Sequence, residues 1–165
     1  MATPTALPAT FVASTVLPAA DLNLLRGAFR VLQVVQGSTS TIVSNSTTTM
    51  ADTNLTASIT PQYSSSKVLV LVSQTFNKTT GNVNNAVAAQ LVRTTTVINS
   101  FAVATGYTGT ALDGIFSISC THLDSPATTS ATTYKTRFAN FSASAAVGAN
   151  PNSTTATITL IEISA

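Results

Sequence analysis

Charged side chains make up only 7 % of this 165-residue chain, against about a quarter in an ordinary soluble domain. Seven bases, Arg26, Arg30, Lys67, Lys78, Arg93, Lys135 and Arg137, stand against five acids and leave a net charge of +2. Apart from Lys135 and Arg137 they are scattered along the chain, whereas a nucleic-acid interface needs a clustered basic stripe. No nucleic-acid partner is expected. Tryptophan is absent and the three tyrosines, Tyr63, Tyr107 and Tyr134, are dispersed, so a carbohydrate-binding module remains only as an alternative of another class. The single cysteine excludes an internal disulfide, and with a single histidine beside it there is no ligand set for a metal. The glycines are isolated from one another, which leaves no glycine-rich loop to cradle a phosphate. Neither metal nor cofactor is expected. Long apolar runs are missing as well. The longest, Val68 to Val72, falls far short of the roughly 18 residues that span a bilayer as a helix. The opening "MATPTALPATFVAST" has neither the basic n-region nor the long h-region of a secretory signal, so no membrane insertion is expected.

The stretch "SISCTHLDSP" (117–126) holds that lone cysteine and histidine, with Asp124 two residues further on. In an extended chain Phe116, Ile118, Cys120, His122 and Asp124 share one face, and the row passes from apolar to polar. A Cys–His nucleophile pair needs the two groups within about 3 Å, whereas same-face neighbours on a strand stand roughly 7 Å apart. The stretch therefore reads as a strand leaving the core, with Cys120 a small buried filler, His122 near the sheet rim and Asp124 opening a turn. Among the other acids, Asp52 and Asp113 lie in turn contexts ("TMADTN" and "ALDG"), where a carboxylate commonly bonds its own backbone. Glu162 sits in an apolar strand, "TITLIEIS", and a structural ion pair with Arg93, Lys135 or Arg137 is expected for it. No catalytic residue is assigned, and the chain reads as a non-enzyme.

Two zones differ in character. Residues 1–30 hold Pro4, Pro8 and Pro18, followed by "PAADLNLLRGAFR", in which Leu22, Leu25 and Phe29 recur at helical spacing. This predicts an extended arm and a short amphipathic helix, with Phe11, Leu17, Leu22, Leu25 and Phe29 as candidate attachment residues. From residue 31 to 165 the pattern is β throughout: runs rich in Val, Ile, Thr and Phe at 31–36, 55–60, 67–76, 86–93, 96–104, 114–123, 132–144 and 155–163, bounded by Gly, Asn, Ser or Pro. "KVLVLV" (67–72) is apolar on both faces, as in a strand covered on both sides by a second sheet or by a neighbouring subunit. Eight or so such strands predict an all-β, jelly-roll-like β-sandwich, with residues 1–30 as its arm.

At "ATFVASTVLPAADLNLLRGAF" the chain resembles the opening of many small virion proteins of tailed bacteriophages. "TNLTASITPQYSSSKVLVLVS" (53–73), "LDSPATTSATTYKTRF" (123–138) and "ITLIEIS" (158–164) are similar to a β-rich module of phage tail fibres and other virion structural proteins, notably of cyanobacterial and marine phages. The resemblance implies a virion location and a symmetric homo-oligomer, often a trimer, that serves assembly or adhesion. Its partners would be other virion proteins and, for an adhesin, a host surface glycan. The chain lacks the shaft repeats of long fibres. That leaves a short tail appendage or fibre-type knob, or a capsid decoration protein.

Overall fold

The computed structural model describes residues 31–79, 84–142 and 146–164. The arm and helix expected over 1–30 lie outside these residues. The described residues form ten strands and one 3-10 turn: β1 Val31–Thr39, β2 Val43–Asn45, β3 Ala51–Ile59, β4 Lys67–Lys78, β5 Asn85–Arg93, β6 Thr96–Thr108, β7 Gly114–Asp124, β8 Thr132–Asn140, β9 Val147–Ala149, the turn Pro151–Ser153, and β10 Ala156–Ile163. Each of the eight long strands overlaps one of the eight runs read from the sequence, with β3 starting four residues before its run and β8 ending four before the end of its own. The three-residue strands β2 and β9 are additional, because three residues carry no readable periodicity.

The long strands pair in a nested order: β1 with β10, β3 with β8, β4 with β7, and β5 with β6, every pair antiparallel. This is one long antiparallel hairpin rolled up until β10 also meets β4 and β8 also meets β5, which is the jelly roll. The outcome is a larger sheet, β1-β10-β4-β7, and a smaller one, β3-β8-β5-β6. β2 and β9 prolong the β1 and β10 rows past an interruption, with β9 pairing Val147, Gly148 and Ala149 to the end of β4.

Period-two alternation sets the two faces. In β3, Thr53, Leu55, Ala57 and Ile59 are buried while Asp52, Asn54, Thr56 and Ser58 are exposed; in β4 and β10 the even-numbered residues point inward. The core has two apolar clusters. One surrounds Leu55, Val70, Leu91, Tyr134 and Leu160, and the other surrounds Phe76, Val87, Phe138 and Val147. Between them runs a buried polar chain. Thr136 donates to Gln74 Oε1 (2.8 Å) and lies 2.5 Å from the Thr53 hydroxyl, Gln74 donates to Asn150 Oδ1 (3.1 Å), and Asn150 donates to the Thr41 carbonyl (2.9 Å). A buried polar group left without a partner costs about 1–3 kcal/mol, so each member is tolerated because the next one satisfies it. Asn150 holds a left-handed backbone (φ 58°), a region that asparagine enters more readily than most residues. At the β1 edge the sheets come together where Gly37 abuts the Thr56 carbonyl, leaving no room for a Cβ, which would stand 2.0 Å from that oxygen.

Candidate functional site

The β7 row behaves as the alternation predicts. Cys120 is buried, 3.5 Å from the Asn99 amide, and burial pushes its thiol pKa up, the reverse of what a nucleophile requires. His122 is half-buried opposite Val70, and among the described residues no hydrogen bond joins it to Cys120 or to Asp124. Asp124 does more than open a turn, which corrects the sequence reading. It is 7 % exposed, accepts the Tyr134 hydroxyl (2.7 Å), and takes Arg93 Nη1 on both oxygens (2.9 and 2.8 Å). The phenol of Tyr134 is pushed far up, by burial first and then by its hydrogen bond to, and the charge of, Asp124. The three residues belong to β7, β5 and β8, so the contact clamps the larger sheet to the smaller one at one end of the sandwich.

Two further acids are used differently from the sequence expectation. Asp52 lies within β3, not in a turn, and pairs on the outer face with Lys135 (2.7 Å) and Arg137 (3.2 Å). The bases expected for Glu162 are thereby engaged elsewhere, Arg93 with Asp124 and the other two with Asp52. Glu162, fully buried, accepts instead from the Gln33 amide (2.5 Å) and the backbone N–H of Gln62 (2.7 Å). Burial alone would raise its pKa, but hydrogen bonds from Gln33, Ser66 and the Gln62 and Tyr63 backbone outweigh burial and hold it below the ordinary value. Glu162 therefore fastens β1, β10 and the β3–β4 loop, and among the described residues no base pairs with it. Among the described residues no group of three or more His, Cys, Asp or Glu is placed to hold a metal. A shallow hollow of about 270 Å³ lies beside Asp52, Asn54, Thr56 and Lys135 on the smaller sheet. Tyr63 and Tyr107 are exposed at opposite ends of the sandwich and Tyr134 is buried, so the tyrosines build no common platform.

The surface with the most distinctive composition is the outer face of the larger sheet. Its register sets Val34 opposite Ile161, Ile161 opposite Leu69, and Leu69 opposite Leu123, an apolar row crossing all four strands. Val34 is 58 % and Leu123 56 % exposed, with Ile161 and Leu69 half-buried between them. Val31 and Ile163 lie one register step above the row, and Leu71 one step below it. Leu71 is flanked by Thr159 and Thr121, and on the next step the face is all hydroxyl, with Thr157, Ser73 and Ser119. The two-sided character of "KVLVLV" is thus resolved: Val68, Val70 and Val72 are covered by the second sheet, while Leu69 and Leu71 look outward to a surface that no described residue covers. The sequence marked β4 but missed Val34, Leu123 and Ile161 as its companions. Alternation places each on an outer face, yet only the pairing register aligns them. The candidate attachment residues Phe11, Leu17, Leu22, Leu25 and Phe29 lie outside the described residues.

No protein-family model matches the chain, and no curated protein does. Among solved structures it is similar to the VP2 subviral particle of infectious bursal disease virus, at TM-score 0.42 and 11 % identity, over 81 % of this chain and 40 % of that one. The Gx strain of the same virus gives 0.41 and 11 %, over 79 % and 38 %. Its T=1 particles give 0.42 and 12 %, over 82 % and 37 %. The chain thus spans about two fifths of the length of the proteins it matches. The assignment as a jelly roll rests on the strand pairing alone.

Proposed function

We propose that this chain is a non-enzymatic structural protein of a virus particle, a jelly-roll subunit whose work is to pack against copies of itself and against other virion proteins. The observation that carries the proposal is the outer face of the larger sheet. Its apolar row and hydroxyl steps carry almost no charge, a surface suited to lateral packing, while each perturbed ionisable group is engaged inside the sandwich. The resemblance of its segments to phage virion modules supports the narrower reading of a short tail appendage or fibre-type knob, for assembly or host adhesion, with a capsid decoration protein as the alternative. The attachment role of the arm and a trimeric state belong to the same proposal.

Particles purified from the producing host, labelled with an antibody to the full chain and imaged, test it. Labelling at one symmetric position supports the reading and separates tail from capsid; recovery of the chain only in the particle-free fraction defeats it. Sedimentation of the pure protein tests the trimer, expected at three times 16.9 kDa.

A further inference from the structure

The apolar row of the larger sheet ends where the described chain begins. β1 starts at Val31, whose register partner Ile163 adjoins the row, and 30 residues precede it. We propose that the row formed by Val34, Ile161, Leu69 and Leu123 is the receptor for the N-terminal segment of a neighbouring copy of this chain, which lays its Leu22, Leu25 and Phe29 face across the four strands. The inference deepens the assembly reading given above and rests on it.

Three observations select this occupant. The first is size. Four strands about 4.8 Å apart make a row of about 14 Å, and the helix read from the sequence extends about 10 Å from Leu22 to Phe29 at 1.5 Å per residue. The second is chemistry, because the four residues of the row and the three of the segment are all aliphatic or aromatic, with Lys67, opposite Ile163, and Arg26, four residues after Leu22, only at their margins. A helix this short also needs a docking partner to persist in water. The third decides between the chain's own sheet and a neighbour's. Arg30 alone separates Phe29 from Val31, whereas connections between a helix and a strand that pack on one another usually take about 2–6 residues. "FRVL" contains none of the Gly, Asn, Asp or Pro that make a reversal. Gly27, the nearest such residue, lies within the apolar repeat and would break the helix face if it served as the hinge. The proposal therefore places the segment on the same row of the next subunit and not on its own sheet. Repeated around a ring, this exchange closes a symmetric oligomer in which each subunit gives one arm and receives one.

Site-directed crosslinking of the full chain tests this. Two differently tagged copies, one carrying Leu25→Cys and one Leu123→Cys, both with Cys120→Ala, are co-expressed and treated with a bifunctional maleimide. A product joining the two tags is the expected result. In the double variant Leu25→Cys/Leu123→Cys on one chain, a product confined to single chains would overturn the proposal, because the arm would then return to its own sheet. Absence of any product would overturn it as well. A second measurement guards against local misfolding. Val34→Thr/Leu123→Thr, exposed sites in the isolated subunit, and Leu22→Ser/Leu25→Ser should each raise the dissociation constant of the oligomer at least tenfold by sedimentation, with Val34→Thr/Leu123→Thr leaving the melting temperature of the sandwich unchanged. Association unaffected by both pairs would reject the receptor. A chain that labels particles yet fails these tests keeps its virion role and loses only the arm exchange.

Discussion

At the scale of single residues, stability is held by a few polar groups placed where the sheets would otherwise part. The Arg93–Asp124 pair is better buried than the Lys135–Asp52 pair, with side chains 27 % and 9 % exposed against 29 % and 47 %. Arg93→Ala strands a buried carboxylate that still holds the Tyr134 hydroxyl, and partial exposure discounts the full cost of a broken buried pair to about 1–3 kcal/mol. Lys135→Ala, at a solvated pair, should cost under about 1 kcal/mol. Urea titration of both variants checks the order, and equal losses would count against the clamp. Glu162 sets a pH dependence. Its pKa is depressed in the folded chain relative to the ordinary 4.5, so the unfolded state binds the proton more readily. The stabilisation is complete above about pH 4.5 and is lost as pH falls through the lower folded value. Glu162→Gln should flatten the fall of melting temperature on acidification below that pH. An acid limb identical to wild type would show that the carboxylate contributes nothing.

At the scale of elements, β4 is the central strand of the larger sheet and has two different faces. Val70 is wholly buried against the second sheet, while Leu71 is 36 % exposed on the outer face. Val70→Asp buries an unpaired charge and should abolish cooperative folding. Leu71→Asp, one residue away, should leave the melting transition within a few degrees of wild type and act instead on association. Circular dichroism melts alongside sedimentation separate the two, and a Leu71→Asp chain that fails to fold would mean that the outer face is part of the core. This division was half legible in the sequence. The "KVLVLV" run announced a strand with two apolar faces, but what covers each face depends on which strands lie beside and above it, and those are supplied by β10, β7 and the smaller sheet from elsewhere in the chain.

At the scale of the whole molecule, the rolled hairpin closes on itself within residues 31–164, and its last strand β10 is flanked by β1 and β4. A chain lacking residues 1–30 should therefore melt cooperatively as a soluble β domain, remain monomeric and fail to enter particles. Aggregation at its first appearance, or full incorporation, would refute the division into arm and sandwich. The sequence by itself determined the class and the strands: alternation of small and β-branched residues with Thr and Ser, broken by Pro, Gly and Asn, admits little else, and eight strands follow from local chemistry alone. It also determined that Cys120 is a filler, since same-face spacing on a strand keeps it from its histidine. Only the tertiary structure decided the partners. Arg93 meets Asp124 across the two sheets, Glu162 finds amides in place of a base, Gln74 joins Thr136 and Asn150 through the core, and four aliphatic side chains from four strands align into one row. Each of these joins residues far apart in the chain, and a period of two fixes the face on which a side chain stands while leaving its neighbour to the register in which the strands are rolled together.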